Sequence, residues 1–126
     1  MEGPATIEQP EMTNRNKAIV VSYFKDVLIG KNNQWTKYVA GNIIQHNPDF
    51  PDGIDALKEY CQSLEIVELS RVIGEGNFVI AQSKGILNNS PFAIYDIYRL
   101  EDEMIVEHWN VKQEIPDKLA HANGML

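Results

Sequence analysis

The sequence predicts an α+β domain in which N-terminal helices pack on a curved four-stranded antiparallel sheet. Three observations lead there. Apolar residues recur at three- and four-residue spacing in the first half of the chain. After residue 65 the period shifts to two, with many β-branched residues. Short turn sequences then separate four such runs, and short connections favour an antiparallel meander. Helices followed by strands in one chain give an α+β architecture.

Residues 14–29 form the first expected helix, with Ile19 or Val20, Tyr23, Phe24, Val27 and Leu28 on one stripe. Thr13 or Asn14 is positioned to cap its start, and Gly30 to end it. A short second helix is expected over about Asn33 to Ala40, carrying Trp35, Tyr38 and Val39, with Gly41 as its stop. The run 42–53, with two prolines, reads as an ordered loop that includes a brief strand at Ile43–Gln45. Asp52 is the expected cap of a third helix to Ser63, with Ile54, Leu57, Tyr60 or Cys61, and Leu64 facing inward. The expected strands are Ile66–Ile73, Phe78–Leu87, Phe92–Leu100 and about Met104–Lys112. Gly74 to Asn77, Asn88 to Pro91 and Glu101 to Glu103 supply the turns.

The 126 residues suffice for one domain with a real core, and 44% hydrophobic with 23% charged residues fits a globular chain. Residues 1–12 are expected to be a flexible tail, with 13–126 the single domain. They have neither the basic region nor the apolar stretch of a secretory signal. No apolar run approaches the ~18 residues of a membrane span, so no membrane partner is expected. A formal net charge of −7 argues against nucleic acid, whose phosphates call for clustered Lys and Arg. The single cysteine, Cys61, excludes an internal disulfide and fits a reducing, cytoplasmic compartment. It lies in a helical apolar pattern and reads as core rather than nucleophile.

The polar residues that stand out lie in the last two strands. Ile94, Asp96 and Tyr98 share one face of the third strand, and Val106, His108 and Asn110 one face of the fourth. The opposite phase would instead turn Arg99, Glu107 and Trp109 inward. Ile94 and Tyr98 make suitable cavity walls beside Asp96, which favours the first phase. A carboxylate among apolar residues is costly to ionise and so becomes a better proton acceptor near neutral pH. A structural salt bridge with His46, His108 or an arginine is the competing role for Asp96. His46 precedes Asn47-Pro48, a stiff segment, and either reaches a cavity mouth or ties its own loop together. Trp109 fits packing better than ligand stacking. There is no phosphate-binding glycine loop, and the histidines at 46, 108 and 121 lack metal-ligand spacing. Neither a metal nor an organic cofactor is expected.

QHNP at 45–48, PDG at 51–53, DIYRLEDEMIVEHWNVKQEIP at 96–116 and NGM at 123–125 together resemble the SnoaL-like proteins of the nuclear-transport-factor-two-like (NTF2-like) superfamily. That resemblance runs from about Asn14 to the end and implies a cone-shaped α+β barrel with a hydrophobic pocket, often in a homodimer. It also implies cofactor-independent acid–base chemistry, such as the aldol condensation of a polyketide cyclase, with an Asp removing a proton beside a carbonyl. Here Asn110 stands where relatives usually carry Asp, and Gln82 near where they often carry His. Asp96, His46, His108 and Asn110 are then the expected catalytic set. Ile94, Tyr98, Tyr38, Gln82 and Trp109 are the expected contacts to a small hydrophobic carbonyl compound. A non-catalytic binding module and a purely structural scaffold are the alternatives.

Overall fold

The computed structural model describes residues 2–126. Helix α1, Thr13–Tyr23, continues into a wider π-helical turn, Phe24–Ile29. Asn16, Ile19, Val20, Tyr23, Phe24, Val27 and Leu28 are buried along its inner side, the three-and-four repeat read in the sequence. The turn ends at Gly30, whose N–H reaches back five residues to the Lys25 carbonyl at 2.9 Å. A Cβ at Gly30 would lie 2.6 Å from that oxygen, so glycine is what allows the wide turn to close. Neither expected side-chain cap forms. Thr13 Oγ1 instead accepts the Gly76 N–H at 2.7 Å, tying the helix to the sheet.

The second helix expected over 33–40 is reduced to one 3-10 turn, Trp35–Lys37. The chain then enters strand β1, Val39–Gln45, much longer than the expected Ile43–Gln45. Helix α2 covers Ile54–Cys61. Gly53 rather than Asp52 stands before it, and Asp52 Oδ1 accepts the Gln45 N–H at 2.7 Å, bracing the β1–α2 loop. Four strands complete the chain: β2 Leu64–Glu75, β3 Phe78–Leu87, β4 Ser90–Glu101 and β5 Met104–Glu114. Asn88 and Asn89 both have positive φ, as do Asp102 and Glu103, which gives the two-residue hairpin turns that suit strand twist.

The sheet has five strands rather than four, in the order β1-β5-β4-β3-β2. β2 to β5 form the expected antiparallel meander, and β1 adds to β5 in parallel, making the sheet mixed. The strand expected only as a brief segment, β1, lacks a clean alternation of period two. Its burial runs irregularly, and its register with β5 shifts between Val39 and Ile44. The helices cover one face of the sheet, and the core lies between them.

A bulge decides which residues of β5 face that core. Arg99 pairs with Glu107, but the next residue, Leu100, pairs with Ile105. Val106 is the extra residue, so Ile105 packs inward beside Leu100 and His108 faces inward beside Tyr98. The expected inward trio Val106, His108, Asn110 is therefore corrected at its first member.

Residues 2–9, expected to be a flexible tail, have no regular structure but lie on the outer face of the sheet. Glu8 and Asn77 exchange two hydrogen bonds, at 2.8 and 2.9 Å, and Trp109 Nε1 donates to the Glu2 carbonyl at 2.9 Å. Among the described residues no helix is long and apolar enough to cross a membrane.

Candidate active site

A narrow cavity lies between the inner face of the sheet and the helices. Tyr23 and Leu28 from α1 and its π turn, Leu57, Tyr60 and Cys61 from α2, and Phe50 from the β1–α2 loop form one wall. Ile94, Asp96 and Tyr98 from β4 and His108, Asn110 and Lys112 from β5 form the other. Its free space is about 30 Å³, room for a couple of water molecules. Any larger ligand must widen it.

Three cross-strand pairs grade this wall from deep to shallow: Tyr98 with His108, Asp96 with Asn110, and Ile94 with Lys112. At the deep end His108 Nε2 lies 2.7 Å from Asp96 Oδ1, and its Nδ1 lies 2.8 Å from Gln45 Oε1 on β1. The Tyr98 ring stacks on the imidazole, with centroids 4.9 Å apart. The imidazole thus bridges Asp96 on β4 and Gln45 on β1. Asp96 and His108 are both about 5% exposed, so this is a buried acid–imidazole pair with little competition from bulk water. Oδ1 is engaged by His108, and no hydrogen bond to Oδ2 forms among the described residues.

The neighbours keep their protons. Burial, then Cys61 and Asp96, pushes the Tyr23 phenol well above its usual range. Burial, then Asp96, does the same at Tyr98. Burial, with Asp96 next, pushes the Cys61 thiol up to about 12. Cys61 is thus a protonated thiol packed in the core, as its helical pattern implied, and not an activated nucleophile.

At the mouth, Lys112 Nζ meets Asp49 Oδ2 at 2.5 Å and lies over the Tyr60 ring, while Phe50 stacks on Tyr60 with centroids 4.6 Å apart. Desolvation works against the ammonium, and contact with Asp49 and Tyr60 more than offsets it, raising the Lys112 pKa.

His46 takes no part in this cavity. It sits on the outer face, where its Nε2 lies 2.7 Å from Glu107 Oε2 and its ring stacks on Trp109 at 4.7 Å. Arg99 Nε donates to the other oxygen of Glu107 at 2.9 Å, so the carboxylate is held on both sides. Of the expected ligand contacts, Ile94 and Tyr98 line the cavity. Trp109 and Gln82 lie on the outer face, Gln82 bridging Arg71 at 2.6 Å and the Tyr95 hydroxyl at 2.8 Å. Tyr38 is buried elsewhere in the core, donating to Asp26 at 2.5 Å.

Sequence reasoning passed over Tyr23, Tyr60, Gln45 and Lys112 as site residues. Lys112 was within reach, since it follows His108 and Asn110 at steps of two on the same strand face. Gln45 was not, because only the parallel pairing of β1 with β5 brings it to His108.

No family model and no curated protein matches this sequence. Solved structures do match in fold. A candidate ketosteroid isomerase from Kribbella flavida DSM 17836 superposes with a TM-score of 0.69 at 13% identity, over 87% of this chain and 86% of that one. An NTF2-like protein of unknown function from Cytophaga hutchinsonii ATCC 33406 gives 0.68 at 15% identity, over 88% and 95%. A SnoaL-like polyketide cyclase from Agrobacterium tumefaciens str. C58 gives 0.59 at 14% identity, over 78% and 91%. The fold of this chain is SnoaL-like and NTF2-like. Identities this low speak for the fold alone, and one fold hosts many activities.

Proposed function

We propose that this protein is a cofactor-independent acid–base enzyme acting on a small, largely apolar carbonyl compound held in the cavity. The observation that carries this reading is the Asp96–His108 pair, 2.7 Å apart, buried in a cavity wall that is otherwise mainly apolar. Asp96 Oδ2 removes a proton from a carbon next to the carbonyl. His108 holds Asp96 in place through Oδ1, and the abstracted proton stays on Oδ2 until it is returned to the product. The electron pair moves onto the carbonyl oxygen, and the Asn110 amide, with the protonated Tyr23 or Tyr98 phenol, donates hydrogen bonds to that enolate. From the enolate three outcomes are open. Reprotonation at another carbon is an isomerisation, attack on a second carbonyl is an aldol cyclisation, and loss of a β-substituent is a lyase reaction. Asn110 has no carboxylate to offer as a second base, which places the whole proton transfer on the Asp96–His108 pair.

The test is proton exchange. The protein is incubated in D2O with methyl 6-oxoheptanoate, and loss of the proton signals beside the ketone is followed by NMR. Exchange faster than in buffer, lost in Asp96→Asn, supports the reading. No exchange above buffer overturns it.

The small cavity and the already paired Asp96 favour one second reading, a non-catalytic module that binds an apolar ligand. It requires that affinity survive Asp96→Asn and that the ligand be recovered unchanged.

Dimerisation belongs to the same proposal. Ile80, Tyr95 and Val111 are exposed on the outer face of the sheet, and Val111 is 73% exposed. A second copy covering this face accounts for apolar residues there. Val111→Lys is expected to reduce a dimer to a monomer in analytical ultracentrifugation. A wild-type monomer at tens of micromolar counts against the dimer.

A further inference from the structure

We infer that the compound this cavity takes carries a carboxylate, and that Lys112 is the residue that recognises it. The inference rests on the reading of the cavity as a ligand site and adds the chemical class of the ligand. Lys112 is the one lysine or arginine among the described residues lining the cavity. In a chain of net charge −7, a lysine turned inward is not part of a general basic surface. It is the third inward residue in the series His108, Asn110, Lys112, so it stands on the same wall as the acid–base pair.

What now holds Lys112 is a stand-in. Its partner, Asp49, belongs to the β1–α2 loop, is 45% exposed and contributes nothing to the cavity wall. Beside the ammonium lies the buried Tyr60 hydroxyl, which helps to hold Lys112 and whose own proton finds no acceptor among the described residues. A buried donor left without an acceptor costs free energy. A ligand carboxylate at this point accepts from both Lys112 and Tyr60, satisfying a group the folded chain leaves open, and it displaces Asp49. Asp49 then swings into water, where it is already half exposed.

The register also sets the length of the ligand. Lys112 follows Asn110, the cross-strand partner of Asp96, by two residues, about 7 Å along an extended strand. A carboxylate on Lys112 and a reacting carbon at Asp96 are therefore several bonds apart. A medium-chain keto acid has that spacing, with its apolar chain against Ile94, Phe50 and Leu57.

The experiment measures the affinity of 6-oxoheptanoate and of its methyl ester for the full chain by calorimetry. The acid is expected to bind at least tenfold more tightly than the ester. In Lys112→Met that advantage disappears. In Asp49→Asn, which removes the competing internal carboxylate, the acid binds several-fold more tightly than to the wild type. The two variants thus move the acid's affinity in opposite directions. A salt bridge that only latches the loop predicts the same direction for both, and that result overturns the inference. Equal binding of acid and ester overturns it while leaving the cavity reading intact. Binding of neither overturns both. Asp49→Asn lies on an exposed loop, so it keeps the test open if Lys112→Met fails to fold.

Discussion

The two faces of the sheet carry two acid–histidine pairs of the same length and opposite character. Inside, Asp96 meets His108 at 2.7 Å, and outside, Glu107 meets His46 at 2.7 Å. Glu107 is more deeply buried, at 2% exposure, yet both its oxygens are engaged, one by His46 and one by Arg99. Gly3 lies close over it and over Trp109, so that a Cβ there would meet both side chains. Asp96 has one oxygen engaged and borders a cavity lined mostly by apolar side chains. Burial alone does not separate the two carboxylates. The number of partners and the presence of an adjoining space do.

Substitutions on the two faces are expected to separate these roles. The largest effect is on the inner pair. Asp96→Asn should reduce proton exchange about 10²- to 10⁴-fold, the usual share of a general base. Asn keeps an acceptor for His108, so thermal unfolding should show a loss of only about 1–2 kcal/mol. If stability falls as far as activity, the inner pair is structural too.

Glu107→Ala is expected to do the reverse. It leaves the Arg99 guanidinium with Glu101 alone, at 2.9 Å, and frees His46, and should cost about 3 kcal/mol in urea unfolding. The remaining pair with the exposed Glu101 keeps that figure from being larger. A near-neutral result would show that the outer network contributes little to stability.

Packing gives the next contrast. On the inner side of β3, a Cβ at Gly85 would lie 2.8 Å from Ile94 Cδ1 and 3.1 Å from Leu64 Cδ1, both cavity-lining residues. Gly85→Ala should destabilise by about 1–2 kcal/mol through overpacking, read as a lower Tm. On the outer side, Val111→Thr should change monomer stability by less than about 0.5 kcal/mol.

A last contrast is in pH dependence. The Cys61 thiol is raised from 9.0 to about 12, and the Tyr23 and Tyr98 phenols are raised as well. Above pH 9 the unfolded chain loses the thiol proton while the folded one keeps it. The folded state then binds more protons than the unfolded one, so stability falls as pH rises from 9 towards 12. Cys61→Ala should flatten that slope in denaturant melts at pH 8 and pH 10.5. An unchanged slope would assign it to the two phenols.

Much of this was legible in the chain. The helical stripe from Ile19 to Leu28, the Gly30 stop, the hairpin turns and the β3 limits Phe78–Leu87 follow from local periodicity and turn chemistry. So does the inward phase of Ile94, Asp96 and Tyr98, since alternation along a strand is fixed once one residue is placed. Local sequence determines these because each depends on a few neighbouring residues. What only the tertiary structure decided depends on partners distant in the chain. β1 became a strand because β5 offered it an edge, not because its own pattern demanded one. The bulge at Val106 moved Ile105 inward, a matter of β4–β5 register. His46 and His108 are each a single histidine beside polar neighbours in the sequence. Long-range pairing put one against Glu107 on the outer face and the other against Asp96 beside the cavity, and backbone direction, not side-chain chemistry, made that choice.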